Sequence, residues 1–141
     1  MRRARDVLLD TGPIVALLDA RDQWHAACTA AFERYADRCV TTEAVVTEAC
    51  YFAGRQGGSG SIALNLLLDA EIPIVSVETG GMRRAAALMD RFANLPMDFA
   101  DASLVAVAEA LGIESVLTTD RRGFAAYRTG RGGSFRVLLS R

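Results

Sequence analysis

Short apolar runs alternate with stretches of helical periodicity along the whole chain, and that alternation restricts the fold more than any other feature. Val7-Leu8-Leu9 reads as a buried strand. Pro13 then stands in the first turn of a helix that continues over residues 14–20. Over residues 22–36, Trp24, Ala27, Cys28, Ala31, Phe32 and Tyr35 recur at spacings of three and four, which predicts a one-sided helix with Asp22 as its N-cap. Residues 39–41 read as a strand, and Thr42 caps a helix to about residue 54. The glycine-rich stretch GRQGGSGS is a flexible connection, after which Ser59 or Ser61 caps a helix to about residue 70.

Residues 72–76 predict a strand, and 78–93 an amphipathic helix. Met82, Ala85, Ala86, Met89 and Phe92 fall on one side of that helix, and Arg83, Arg84 and Arg91 mostly on the other. A helix over 99–111 stops at Gly112. Residues 115–118 form the next strand and 135–139 a last, edge strand. Strands separated by helices demand a mainly parallel sheet covered on both faces, an α/β sandwich of three layers with four to five strands. No repeat or boundary divides residues 1–141, so one domain is expected.

With 141 residues and 51% hydrophobic side chains, the chain can bury a core and is not disordered. Net charge is −1, so any contact with nucleic acid must rest on a local patch. All 16 basic residues are arginine, whose planar fork suits phosphate. Cys28, Cys39 and Cys50 form no CxxC pair, and one histidine cannot complete a zinc site. They read as reduced thiols of a cytoplasmic protein. The apolar run near the start ends at Asp10, which argues against a signal peptide. No apolar stretch reaches the roughly 18 residues of a membrane span.

The informative residues are acidic. In open α/β sheets, ligands bind beyond the C-terminal strand ends. Asp10 follows the first strand, and Asp120 follows Val116-Leu117-Thr118-Thr119. Glu48 lies inside a helix, three after Val45 and four before Phe52, so it is expected on the apolar stripe, where a carboxylate is costly unless paired or metal-bound. Asp101 shares a face with Leu104, Val105 and Ala108, and Asp98 sits one turn earlier at the helix entrance. Singly, each has a plainer role: a cap for Asp98, a partner of the helix dipole for Asp101, turns for Asp10 and Asp120, an arginine pair for Glu48. Converging, they cannot all ionise without a cation. Oxygen ligands alone select Mg²⁺ or Mn²⁺ over zinc. Such an ion activates water and offsets charge on a phosphodiester, which points to a nuclease.

The segments DTGPIVALLD, TEAVVTEACYF, MDFADASLVAVAEALGI and VLTTDRRGF, in this order and over essentially the whole chain, resemble PIN-domain ribonucleases, and within them the VapC-type toxins of prokaryotic toxin–antitoxin pairs. The run DASLVAVAE followed by LTTD carries most of the likeness. The resemblance implies that Asp10, Glu48, Asp101 and Asp120 are metal-binding catalytic positions. Asp98 matches an acidic position found in part of the family, and Thr11 and Thr118 match small hydroxyl positions beside the site. It further implies a Mg²⁺- or Mn²⁺-dependent endoribonuclease with water as nucleophile, homodimerisation, and inhibition by a small antitoxin.

Other features weigh less. His25 reads as an ordinary residue of a first helical turn. Trp24, Phe32 and Tyr35 read as core, with an antitoxin groove as the alternative. Arg121 and Arg122 are candidates for the RNA backbone or a solvated pair, and Arg2, Arg3 and Arg5 a solvated tail. GGSGS lacks the lysine and the preceding strand of a phosphate loop. Two rivals stay open: a non-catalytic RNA-binding regulator of this fold, and a structure-specific DNA nuclease.

Overall fold

A computed structural model describes residues 4–139. Five strands, β1 (Val7–Leu9), β2 (Cys39–Thr42), β3 (Ile74–Val75), β4 (Ser115–Leu117) and β5 (Arg136–Val137), form one sheet in the order β3-β2-β1-β4-β5. Every pairing is parallel. The central strands are fully buried because helices cover both faces, which is why they read as unbroken apolar runs. Seven α-helices are described: α1 (Thr11–Leu18), α2 (His25–Tyr35), α3 (Glu43–Arg55), α4 (Ser61–Asp69), α5 (Thr79–Arg91), α6 (Phe99–Leu111) and α7 (Arg121–Ala126).

From β1 the chain winds outward through β2 to β3, then returns to lay β4 on the other side of β1. The two strands that leave in opposite directions are therefore neighbours, and a crevice opens beyond their C-terminal ends. Asp10 and Asp120 immediately follow this pair of strands. Asp10 N continues the ladder by donating to Leu117 O at 3.0 Å.

Helix ends follow the local chemistry. Thr42 Oγ1 accepts from Val45 N and caps α3. Asp98 and Asp101 form a reciprocal capping box on α6, and Gly112 ends that helix with φ 69°, a left-handed conformation that costs glycine little.

Several expectations need correcting. The first helix stops at Leu18, not residue 20. Asp22 does not cap α2: its carboxylate accepts from Trp24 N in a turn, and the helix begins at His25. In α2, Cys28 alone is fully buried, with Trp24, Phe32 and Tyr35 only partly covered against the core. Neither serine caps α4; Gly60 holds that position, while Ser59 Oγ accepts from Ser61 N. Strands β3 and β5 keep two paired residues each, and α7 lay unread. On α5 the buried positions are Ala85 and Leu88, whereas Met82 and Ala86 face water; Arg84 pairs with Glu109 of α6. Arg5 is no solvated tail, since its guanidinium donates to the carbonyls of Ala36, Cys39 and Glu71. Arg2 and Arg3 lie outside the described residues. Among those described, no helix is long and apolar enough to cross a membrane.

Candidate active site: a carboxylate crevice

The sheet ends, three helix starts and the middle of α3 bring acidic side chains to one crevice of about 530 Å³. Asp10, Glu48, Asp98, Asp101 and Asp120 all line it, with Thr11 beside them. The five acidic positions expected from the sequence are thus brought together, although they are up to 110 residues apart in the chain.

Asp10 is the most deeply set, only 6% exposed. Its carboxylate accepts from Thr11 N at 2.8 Å and from Thr118 Oγ1 at 2.7 Å. Burial pushes its pKa up to about 6 even though both bonds favour the charged form, and the nearby Asp120 and Asp98 add repulsion. Thr118 has a second task, because its hydroxyl accepts from Asp120 N at 2.9 Å. One buried side chain thereby ties together the ends of β1 and β4. Asp120 in turn caps α7 by accepting from Gly123 N. A Cβ at position 123 would collide with the Asp120 carboxylate and lie 2.9 Å from the Tyr127 hydroxyl, so glycine is required by packing alone.

Asp101 accepts from Asp98 N at 3.3 Å and from the Tyr127 hydroxyl at 3.2 Å. Burial, then the charges of Asp10 and Asp98, raise it to about 8. Glu48 is also raised, by burial first and then by Asp98 and Asp10, with the Thr11 hydroxyl opposing the rise. Thr11 Oγ1 is buried near Glu48, and among the described residues it completes no hydrogen bond of good geometry. Three carboxyls thus hold protons more tightly than ordinary acids, chiefly because they are partly dehydrated and then because they are crowded.

Those properties suit a small divalent cation. The donors are hard oxygens, a buried hydroxyl lies ready among them, and their repulsion is what a positive ion relieves. Among the described residues, no three acidic, His or Cys side chains are already gathered into a finished coordination shell.

Sequence reasoning placed Glu48 on a buried stripe with Phe52. The structure corrects this: Val45 is buried, but Phe52 is 43% exposed and lines the crevice, as do Trp24 and Asp22. Tyr127 was missed, because nothing in the sequence marks the residue after a six-residue helix. Arg121 donates to Leu139 O, and neither Arg121 nor Arg122 lines the crevice. His25 starts α2, with Nδ1 2.7 Å from Ala16 O, away from the acidic group.

A parallel sheet with this strand order and an acidic crevice at its switch point defines an α/β protein with a carboxylate-lined ligand site at its strand ends. Residues 7–129 match the PIN domain family, and the chain belongs to it. It is 28% identical to ribonuclease VapC26 of Mycobacterium tuberculosis, over 94% of this chain and 99% of that protein. Among solved structures it resembles VapC20 of M. tuberculosis, a sarcin-ricin loop cleaving toxin, with a TM-score of 0.79 at 18% identity over 95% and 99% of the two chains. A toxin–antitoxin complex from Klebsiella pneumoniae superposes with a TM-score of 0.62 at 18% identity, over 85% of this chain and 91% of that one.

Proposed function

We propose that the protein is a Mg²⁺- or Mn²⁺-dependent endoribonuclease, acting as one domain and serving as the toxin of a toxin–antitoxin pair in the cytoplasm. The observation that carries this reading is the convergence of Asp10, Glu48, Asp101 and Asp120 in one crevice at the β1/β4 switch point, where burial first and neighbouring charge second hold Asp10, Glu48 and Asp101 above the usual carboxylate range. The likeness to VapC26 over nearly the full length of both chains supports RNA as substrate. The toxin–antitoxin complex among the similar structures supports a cognate antitoxin. Homodimerisation rests on the family resemblance.

In this mechanism Asp10, Glu48, Asp101 and Asp120 would hold the cation, with Asp98 as a further ligand or only the cap of α6. A divalent ion held there would supply Lewis acidity toward the scissile phosphate and the attacking water. The protein's own part is alignment. Thr118 and Thr11 N fix both oxygens of Asp10, Gly123 N fixes Asp120, and Tyr127 with Asp98 N turns Asp101 inward. Fixed donors of this kind spare the site reorganisation as charge develops on phosphorus.

The test is cleavage of matched RNA and DNA strands with Mn²⁺, by the intact protein and by Asp10→Asn. RNA cut by the intact protein alone is the expected outcome. RNA binding with no cleavage under any metal, undiminished when the carboxylates are neutralised, would instead favour a regulator. Preferential cutting of branched DNA would favour a DNA nuclease.

A further inference from the structure

Phe52 lies one helical turn beyond Glu48 on α3, so both side chains leave the same face of the helix. That face looks into the crevice, and the ring stands 43% exposed at its wall. Tyr51 meets it in a T-shaped contact, with centroids 5.4 Å apart, and the Tyr51 hydroxyl accepts from Arg55. The ring is thus braced by its neighbour in an orientation set by the helix. Trp24, Leu95 and Pro96 add further apolar surface to the lining.

The rest of the lining creates a difficulty for a polyanion. It carries six carboxylates, counting Asp22, and among the described residues no arginine. Phosphate recognition ordinarily draws on arginine and lysine. A strand entering here meets none on these walls, which leaves the grip inside the crevice to uncharged contacts. An aromatic face is the uncharged group that grips nucleic acid best, since every base has a π-surface to lay on it. A base inside a duplex is already stacked on its neighbours and is not available. A crevice of about 530 Å³ has room for a nucleotide.

We propose that Phe52 is the stacking platform for an unpaired base next to the scissile phosphate, and so a specificity-determining residue that restricts the substrate to RNA unpaired at that position. This rests on the ribonuclease reading above.

The experiment uses the intact protein with Mn²⁺ and an RNA strand that it cuts. Nucleotides flanking the cut are replaced one at a time by abasic ones, and each strand is given to the wild type, Phe52→Leu and Phe52→Tyr. Phe52→Leu keeps an apolar side chain and loses the ring. Its kcat/KM is expected to fall by roughly 5- to 150-fold, the range for one stacked base, while Phe52→Tyr stays near wild type. One abasic position should cost the wild type a similar factor and cost Phe52→Leu little more. Equal cleavage by Phe52→Leu and wild type overturns the proposal, as do losses that simply multiply. Should Phe52→Leu lack a cooperative melt, the scan on the wild type still decides: insensitivity to every flanking base overturns the stack. A defect of Phe52→Leu confined to capture of a protein inhibitor also overturns it, and leaves the ribonuclease reading intact. A wild type that cuts no RNA overturns both.

Discussion

Replacing Asp10 by Asn should abolish cleavage and yet stabilise the protein when no metal is present. The carboxyl has an ordinary value of 3.8 and is pushed up to about 6 in the folded chain, chiefly by burial. Below pH 3.8 both folded and unfolded chains carry the proton, and nothing is lost. Between pH 3.8 and 6 the unfolded chain releases it first, so stability declines as pH rises, and above 6 the full cost remains. A difference of 2.2 pH units at 1.36 kcal/mol each comes to about 3 kcal/mol.

Asparagine removes that charge in the same volume. Its carbonyl oxygen still accepts from Thr11 N and so keeps the cap on α1. Its amide, however, meets the Thr118 hydroxyl that formerly donated to Asp10, and the poorer match returns about 1 kcal/mol. The net gain near pH 7.5 is about 2 kcal/mol. With about 2.1 cal/mol/K of unfolding entropy per residue, this raises Tm by about 7 °C.

Thermal melts in a chelating buffer at pH 7.5 and near pH 3.5 measure the difference, which should shrink at the lower pH. Adding Mn²⁺ at a hundredfold excess over its Kd should stabilise only the wild type, by about 2.7 kcal/mol, and reverse the order. An Asp10→Asn protein no more stable than wild type at pH 7.5 without metal would mean that the carboxylate bears no burial cost, and the reasoning would fail.

Thr118→Val removes the donor to Asp10 and the acceptor for Asp120 N in one step. Losing a hydrogen bond to a buried charge costs roughly 1.5–3 kcal/mol, so activity should drop at least tenfold and the acid limb of its pH profile should move up by about one unit or more. A weakened enzyme with an unmoved profile would contradict this. Metal affinity should climb between about pH 6 and 8, because Asp10 and Asp101 must surrender protons to the ion. Titration calorimetry in two buffers of different ionisation heat counts those protons, and affinity independent of pH would count against the carboxylate site.

Much of the architecture could be read directly from residue order. Buried parallel strands are short apolar runs, and their C-terminal ends are where side chains meet a ligand. Once β1 and β4 were recognised, Asp10 and Asp120 were committed to the sheet's open end. Thr42, Asp98 and Gly112 marked helix ends because capping is chemistry between residues within four positions of one another. The parts that stayed hidden depend on distant contacts. Helix α7 is six residues long and too short to show a period. Tyr127 acquires its role only because α7 carries it back to α6, 26 residues away in sequence. Strands β3 and β5 keep two residues because pairing length at a sheet edge is decided by the neighbouring strand.

Glu48 shows how a site can be located for a reason that is only half right. Periodicity put it on one face with Val45 and Phe52, and a carboxylate on that face called for a partner. The face was correctly drawn, but it is not uniformly buried: it passes from core at Val45 to crevice wall at Phe52 within two turns. On α5 likewise, Met82 and Ala86 share the apolar side with Ala85, yet only Ala85 of the three is buried. A repeat of 3.6 residues reports which side chains share a direction, and the tertiary structure alone decides what lies in that direction. Where an acidic residue and an aromatic share such a face, three outcomes compete: a neutralised core carboxyl, a paired one, or the rim of an open site. Water supplies the discriminating physics. A half-exposed phenyl ring beside a carboxyl that burial makes costly to ionise is unfavourable for folding on both counts, and a site that accepts both costs is one in which an incoming cation and an incoming base would each find a place prepared.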